Sequence, residues 1–342
     1  MGSASRPAGH GAGVGAADPA DIVRRAGEAM GAEVTGLAEL KGGRSGLTYS
    51  ARAGGEPVVV KVAPPGLAPV RDRDVLRQAR VLSVLAGVPG VEVPAVLGAH
   101  PGAPPEVPPL LVMSSVDGER YEPRHTDSPV RPPAGVVLTR MRLAAGMLAA
   151  LHTADPFQAG LDEPVSGPED ELGRWRTAFA SCELEPRVAE LEAECGRLLE
   201  DALPAPVWPS ILHGDWRMGN MQCAGTEIRA VTDWEIWSVG DPRADLAWMR
   251  LMSDPAHPAV VAPWAPAVEP AELRAVYEAA MGREVADLAW FDALARYKQA
   301  AASALLVKNA QRRGEAPALT EKSRRVLPLL LAAAHERLTG AA

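Results

Sequence analysis

Residues 213–233 constrain this chain more than any other stretch. They read His213-Gly214-Asp215-Trp216-Arg217-Met218-Gly219-Asn220, then a short apolar segment, then Asp233-Trp234-Glu235. Residues 221–223 and 227–232 flank the turn Ala224-Gly225-Thr226, a pattern that predicts a β-hairpin. Folding that hairpin back brings Asn220 and Asp233 to one edge of a single site, close to Asp215. Three oxygen-bearing side chains at this spacing suit phosphoryl transfer. Asp215 can take a proton from an attacking hydroxyl, while Asn220 and Asp233 are hard oxygen donors for the magnesium that neutralises nucleotide phosphates.

The pattern continues through Ile236-Trp237-Ser238-Val239-Gly240-Asp241-Pro242-Arg243-Ala244-Asp245-Leu246-Ala247-Trp248. As a whole it resembles the catalytic and metal loops of the aminoglycoside phosphotransferase superfamily, the small-molecule relatives of protein kinases. The resemblance spans roughly residues 35–315 and is strongest toward the kinase-like domains of acyl-CoA dehydrogenase family members 10 and 11. It implies an α/β (α+β), two-lobed protein-kinase-like fold. Residues 18–113 would form an N-lobe with a small sheet and one packed helix, 114–118 a hinge, and 119–342 an α-rich C-lobe, with 1–17 a disordered leader. The resemblance also implies ATP as donor, with GTP left open, and a small-molecule hydroxyl as acceptor. In this reading Asp215 is the catalytic base, and Asn220 and Asp233 hold magnesium. Asp245 ties the catalytic loop to the C-lobe, and His213 braces it. His152, in the pair Leu151-His152, is a structural hydrogen-bonder. Protein kinases carry an arginine before the loop aspartate. Gly214 stands there in this chain, which favours a small-molecule acceptor over control by an activation segment.

Upstream, residues 34–41 and 47–53 flank Gly42-Gly43-Arg44-Ser45-Gly46, and Gly54-Gly55 turns into Pro57-Val58-Val59-Val60-Lys61-Val62. Three strands with a glycine loop make a nucleotide site, because glycines let backbone N–H groups approach phosphates. Gly42, Gly43, Ser45 and Gly46 are the phosphate-loop candidates. The chain has five lysines among its 35 basic residues, so Lys61 in a β-branched strand stands out as the residue to reach the α- and β-phosphates. Residues 70–85 show helical periodicity and read as the helix packed behind this sheet. Kinases place a glutamate there to orient the lysine. This chain has Gln78, an amide that accepts a hydrogen bond from Lys61 without charge, and Asp74 is a possible substitute. The apolar strand 110–113 breaks at Ser114-Ser115-Val116-Asp117-Gly118, and Met113, Ser114 and Ser115 are the backbone candidates for adenine.

A net charge of −8 disfavours nucleic acid and membrane surfaces as partners. No window is expected to span a membrane. The apolar run 327–334 is too short, and no export signal opens the chain. Cys182, Cys195 and Cys223 lack paired ligand spacing and read as reduced cytoplasmic thiols. Gly11-Ala12-Gly13-Val14-Gly15-Ala16 mimics a dinucleotide fingerprint, but no strand precedes it.

Helices are expected at 19–30, 136–153, 271–282, 287–313 and 318–338, with more within 173–202. The segment from Arg296-Tyr297-Lys298 through Lys308-Asn309 to Arg312-Arg313 carries five basic residues and no acid. If it borders the cleft, Arg296, Lys298, Lys308 and Arg312 suit an anionic or neutral acceptor. The alternative is a solvated helix face. Asp162, Glu163, Glu169, Asp170 and Glu171, in an expected linker, favour a cationic acceptor instead. The subgroup resemblance implies a hydroxyacyl thioester, a hydroxy acid or another hydroxylated metabolite. An aminoglycoside or other antibiotic phosphotransferase conferring resistance, and a nucleotide-binding pseudokinase scaffold, stay open as alternatives.

Overall fold

The Asp18 side chain accepts a 3.0 Å hydrogen bond from the Ala20 amide, and Pro19 opens α1 (Pro19–Met30), which Gly31 ends in a left-handed turn at φ 64°. The computed structural model describes residues 18–40, 46–126 and 131–340; the leader 1–17 and Gly42, Gly43 and Ser45 of the glycine loop lie outside the described residues.

Strands β1 (Val34–Glu39), β2 (Leu47–Ala53), β3 (Glu56–Val62), β4 (Val96–His100) and β5 (Leu110–Ser114) form an antiparallel sheet in the order β1-β2-β3-β5-β4. The period of two along β3 sends Val58, Val60 and Val62 to one face, where they join Ile22, Ala26, Leu110 and Val112 in a core. Helix α1 therefore covers this face of the sheet. Lys61, opposite Leu111 in the register, points to the other face and meets α2 (Val75–Leu85). No alternating pattern announces β4. Gly98 is what admits α1 beside it, because a Cβ there would lie 2.5 Å from the Ala29 carbonyl oxygen. Gly46 is likewise fixed by close approach, its absent Cβ falling 2.8 Å from the Val62 oxygen.

The chain divides into two compact units, one of residues up to 83 with 94–115, the other of 84–93 with 116 onward. The short segment 84–93 belongs with the second through the Val231 amide, which donates to the Glu92 oxygen at 2.7 Å.

The second unit contains α3 (Ala134–Thr153), β6 (Val165–Ser166), α4 (Pro168–Ala180), α5 (Pro186–Asp201), β7 (Ser210–Leu212), β8 (Met221–Ala224), β9 (Glu227–Val231), β10 (Ser238–Gly240), α6 (Arg243–Ser253), α7 (Pro270–Met281), α8 (Leu288–Arg312) and α9 (Glu321–Thr339). Helix α8 packs against α4, α6 and α9, and α3 against α7. Contrary to expectation, α3 is long and apolar enough to cross a membrane. It instead buries Val137, Met141, Ala144, Leu148 and Leu151 in this unit. The expected acidic linker is also revised. Glu169, Asp170 and Glu171 form the first turn of α4, where the helix dipole favours acids, and Asp170 accepts from the Gly167 amide at 2.9 Å.

Two short pairings set up the site. Strand β7 runs antiparallel to β10, with Ile211 opposite Val239, and β8 pairs with β9 as the expected hairpin. The segments 213–220 and 232–237 thus leave one frame and return to it.

Candidate active site

The loop 213–220 turns on Gly214, at φ 84°, where a Cβ would lie 3.0 Å from both Ile236 Cγ1 and the Ile236 oxygen. Glycine at this position therefore has a steric reason. Asp245, buried on α6, accepts hydrogen bonds from the His213 amide at 2.6 Å and the Gly214 amide at 2.9 Å. Burial pushes its carboxyl pKa up, but His152 at 3.7 Å and the His213 and Lys298 side chains outweigh that, so the pKa is lowered. His152 is itself buried and meets the Tyr277 hydroxyl through Nδ1 at 2.8 Å.

His213 is fully buried. Its Nδ1 accepts the Asp215 N–H at 3.1 Å, so its proton sits on Nε2, 3.0 Å from the Thr232 oxygen. The imidazole stands edge-on to Trp216 and Trp234, and it joins the catalytic loop to the strand end that precedes Asp233.

Asp215 is a quarter exposed, with three side chains donating to its carboxylate. Trp248 Nε1 meets Oδ1 at 2.7 Å, Asn220 Nδ2 meets Oδ2 at 2.9 Å, and Arg217 Nε spans both oxygens at 3.1 and 3.0 Å. Asn220 Nδ2 also donates to the Asp215 backbone oxygen at 2.9 Å, which fixes the amide orientation. Its Oδ1 then receives no hydrogen bond among the described residues. The Asn220 backbone oxygen accepts from Thr232 N and Oγ1, so Asn220 and Asp233 are stitched one residue apart. Asp233 is exposed and held at φ 71°, a left-handed conformation uncommon for aspartate. An available amide oxygen beside a carboxylate on a strained turn fits a hard divalent cation.

Several members of this constellation carried no expectation. Arg217 and Trp248 lie inside the quoted motif, yet nothing in their spacing assigned them to Asp215. Glu122, nearly a hundred residues away, left no signal at all. It is buried, accepts from the Gly219 amide at 2.7 Å and pairs with Arg217 at 3.2 Å. Burial pushes its carboxyl up to about 7, against the lowering influence of Arg217 and the Gly219 amide.

The acceptor candidates on α8 separate. Lys298 donates to the Gly214 oxygen at 2.6 Å and lies over the rings of Trp248 and Trp175. Burial in this aromatic slot lowers its pKa, while Glu171, Asp245 and Asp215 act to raise it. Arg296 does not present itself as expected. It is buried, paired with Asp254 at 2.5 Å and bonded to the Asp292 oxygen. Asp292 lies in the same helix one turn before Arg296, so the element is less purely basic than the segment 296–313. Lys308 and Arg312 sit about 15 and 21 Å further along the helix axis at 1.5 Å per residue, and neither touches the catalytic loop among the described residues.

In the first unit, Lys61 Nζ donates to the buried Gln78 Oε1 at 3.1 Å. Asp74 Oδ1 accepts the Leu76 and Arg77 amides and caps α2. The amides of Ser114 and Ser115 are taken by the oxygens of Ala95 and Pro57, while Met113 lies opposite Val59 in the sheet.

A sequence model described as "Phosphotransferase enzyme family" matches residues 36–280. Among curated proteins, acyl-CoA dehydrogenase family member 10 of Mus musculus is 26% identical over 233 residues, 65% of this chain and 21% of that protein. Family member 11 of Rattus norvegicus is 26% identical over 222 residues, 63% of this chain and 28% of that protein. The chain thus spans under a third of the length of these relatives. Among solved structures, a Ralstonia eutropha protein named as a candidate aminoglycoside phosphotransferase superposes with a TM-score of 0.74 at 20% identity, over 89% of this chain and 92% of that one. A thermostable mutant of aminoglycoside phosphotransferase APH(4)-Ia in ternary complex with ADP and hygromycin B gives 0.59 at 15% identity, over 94% and 99%. These structural likenesses establish the two-lobed kinase-like α+β fold.

Proposed function

The chain belongs to the phosphotransferase enzyme family, and we propose that within it this protein is an ATP- and magnesium-dependent kinase of a small-molecule hydroxyl. One observation carries the reading. A single amide, Asn220 Nδ2, is tied to both the side chain and the backbone of Asp215, so the base and the metal donor are set relative to each other before any ligand arrives. Preorganisation of this kind is what phosphoryl transfer asks of a protein.

Asp215 orients the acceptor hydroxyl and takes its proton as the bond to phosphorus forms. Asn220 Oδ1 and the Asp233 carboxylate are the groups that would hold magnesium, which when bound neutralises phosphate charge. Asp245 and His213 keep the loop in register and Lys298 anchors its Gly214 carbonyl. In the first unit Lys61 and Gly46, with Gly42, Gly43 and Ser45, are assigned to the phosphates, and Gln78 orients Lys61. With the Ser114 and Ser115 amides in use, adenine recognition at 113–115 falls to carbonyl oxygens.

For the acceptor, two cations flank the catalytic aspartate, Arg217 directly and Lys298 through Gly214. That arrangement repels a polycation and suits an anionic or neutral molecule. The curated relatives are named for acyl-CoA, and within that chemistry a hydroxyacyl thioester or hydroxy acid is the acceptor that carries a hydroxyl. The unpaired cysteines, two of them buried, support a cytoplasmic setting.

The test is a mass-spectrometric screen with magnesium and ATP over hydroxyacyl-CoAs, hydroxy acids, aminoglycosides and other hydroxylated antibiotics. One class should gain a phosphate mass, and Asp215→Ala should lower that turnover by about 10²–10⁴-fold while nucleotide still binds. A mutant as active as the wild type would remove Asp215 from the role.

A further inference from the structure

A carboxylate offers about four lone-pair directions, and those of Asp215 are filled by its own neighbours. Trp248 and Arg217 meet Oδ1, and Arg217 and Asn220 meet Oδ2. An acceptor hydroxyl that is to give up its proton here must first displace a donor. Asn220 is a poor one to lose, being buried and bonded to the Asp215 backbone as well. Trp248 is 8% exposed and lies under the Lys298 ammonium, 4.6 Å from its ring centre.

Arg217 differs on each count. Its side chain is 30% exposed, and it meets Asp215 through one bifurcated Nε–H. A second carboxylate, Glu122, already accepts from its Nη1 at 3.2 Å. Glu122 is itself held, accepting the Gly219 amide at 2.7 Å. The space for this arm depends on Gly219, since a Cβ there would collide with Arg217 Nη1 and lie 2.9 Å from Glu122 Oε2.

We propose that Arg217 is a displaceable latch on Asp215 and Glu122 its receiving group. Without acceptor the guanidinium closes the base; when a hydroxyl takes its place, the guanidinium shifts its weight onto Glu122. The inference rests on the kinase reading and adds a property to it: suppression of wasteful hydrolysis. In that side reaction a water oxygen bonds to the γ-phosphorus as the bond to the β–γ bridging oxygen breaks. ADP leaves, and the water's proton passes to Asp215 and on to solvent.

Two measurements test it on the full chain. The first is acceptor-free hydrolysis of ATP with magnesium. Arg217→Met is expected to raise kcat about tenfold with KM for ATP unchanged, a modest part of the usual general-base effect, and adding Asp215→Asn should abolish the gain. A fall in kcat, or no change, overturns the latch, the former by showing that the guanidinium assists transfer. Arg217→Lys retains charge and stem if the methionine variant fails to fold, and should give a smaller rise. The second is the ¹H–¹⁵N resonance of the Arg217 side-chain Nε–H in the ligand-free protein, identified by its loss in the Arg217 variant. It should sit downfield and move upfield in Asp215→Asn. If it does not move, the guanidinium is not on Asp215 in solution and the latch falls, whatever the protein does with ATP. Failure of the kinase reading shows separately, as ATP turnover in all variants that is indifferent to Asp215→Asn; it takes the latch with it.

Discussion

The residues assigned to catalysis and those assigned to the nucleotide are secured by charges buried to different depths. In the second unit the loop from Leu212 to Asn220 is secured by buried ionised or charge-assisted groups: Asp245 on two amides, Glu122 on a third, Lys298 on a carbonyl, Arg217 on Asp215. In the first unit the ionised Lys61, only partly buried, donates to the amide oxygen of Gln78 among its contacts. Each of these bonds is charge-assisted and stronger than a neutral one, but a buried charge deprived of its partners is costly, and Asp245 and Glu122 are the buried charges. The difference teaches that the loop has little tolerance for change and the strand a good deal.

Removing Asp245 strikes the comparison hardest. Asp245→Ala leaves two amides without their acceptor in the interior and should cost about 2–6 kcal/mol of stability, at about 1–3 kcal/mol for each unsatisfied donor, read as a lowered midpoint in denaturant unfolding. A loss under 1 kcal/mol would mean the loop is held by something else.

Acidity gives the next effect. His125, whose ring stands edge-on to His257, has its pKa pushed down by burial to about 4 from an ordinary 6.5. As pH falls below 6.5 the unfolded chain takes up a proton the folded one refuses, so stability drops by up to about 3 kcal/mol on reaching pH 4. Glu122 works the other way. Its folded value of about 7 lies above the usual 4.5, so its contribution is lost as pH rises from 4.5 to 7. Between pH 4.5 and 6.5 the two oppose each other. Glu122→Gln should therefore reveal a stability that climbs with pH where the wild type stays nearly flat. A flat variant would show that Glu122 is not the opposing group.

The smallest effect belongs to the first unit. Gln78→Glu replaces a neutral acceptor with a charged one and should tighten ATP binding by about threefold, within 1 kcal/mol, measured by calorimetry with magnesium present. A change as large as that from Asp245→Ala would erase the contrast between the regions.

Much of this architecture was legible in the chain. The hairpin between Asn220 and Asp233 has a turn signal and alternating flanks, and Pro19 and Gly31 mark the ends of α1 because caps are local chemistry. What escaped depends on distance or on close approach. Glu122 reaches Gly219 across nearly a hundred residues of chain, and no periodicity encodes such a meeting. Strand β4 forms because Gly98 lets α1 come near, a fact of two elements at once. Arg296 and Lys298 looked equivalent on one basic segment. The helix turn between them sends the first to Asp254 and the second to Gly214, so adjacency in sequence concealed opposite fates.

The pairing of β7 with β10 has a kinetic side. Ile211 faces Val239 across 28 residues of chain, and the loops proposed for catalysis and for the metal lie inside that span. Closing a loop of this length costs about 3 kcal/mol beyond a constant, and the dependence on length is weak. The inner hairpin shortens the effective loop further. Closing this span costs less chain entropy than bringing Glu122 or Lys298 to the loop from further along the chain, so the segment from Ser210 to Gly240 is expected to assemble before those two residues join it.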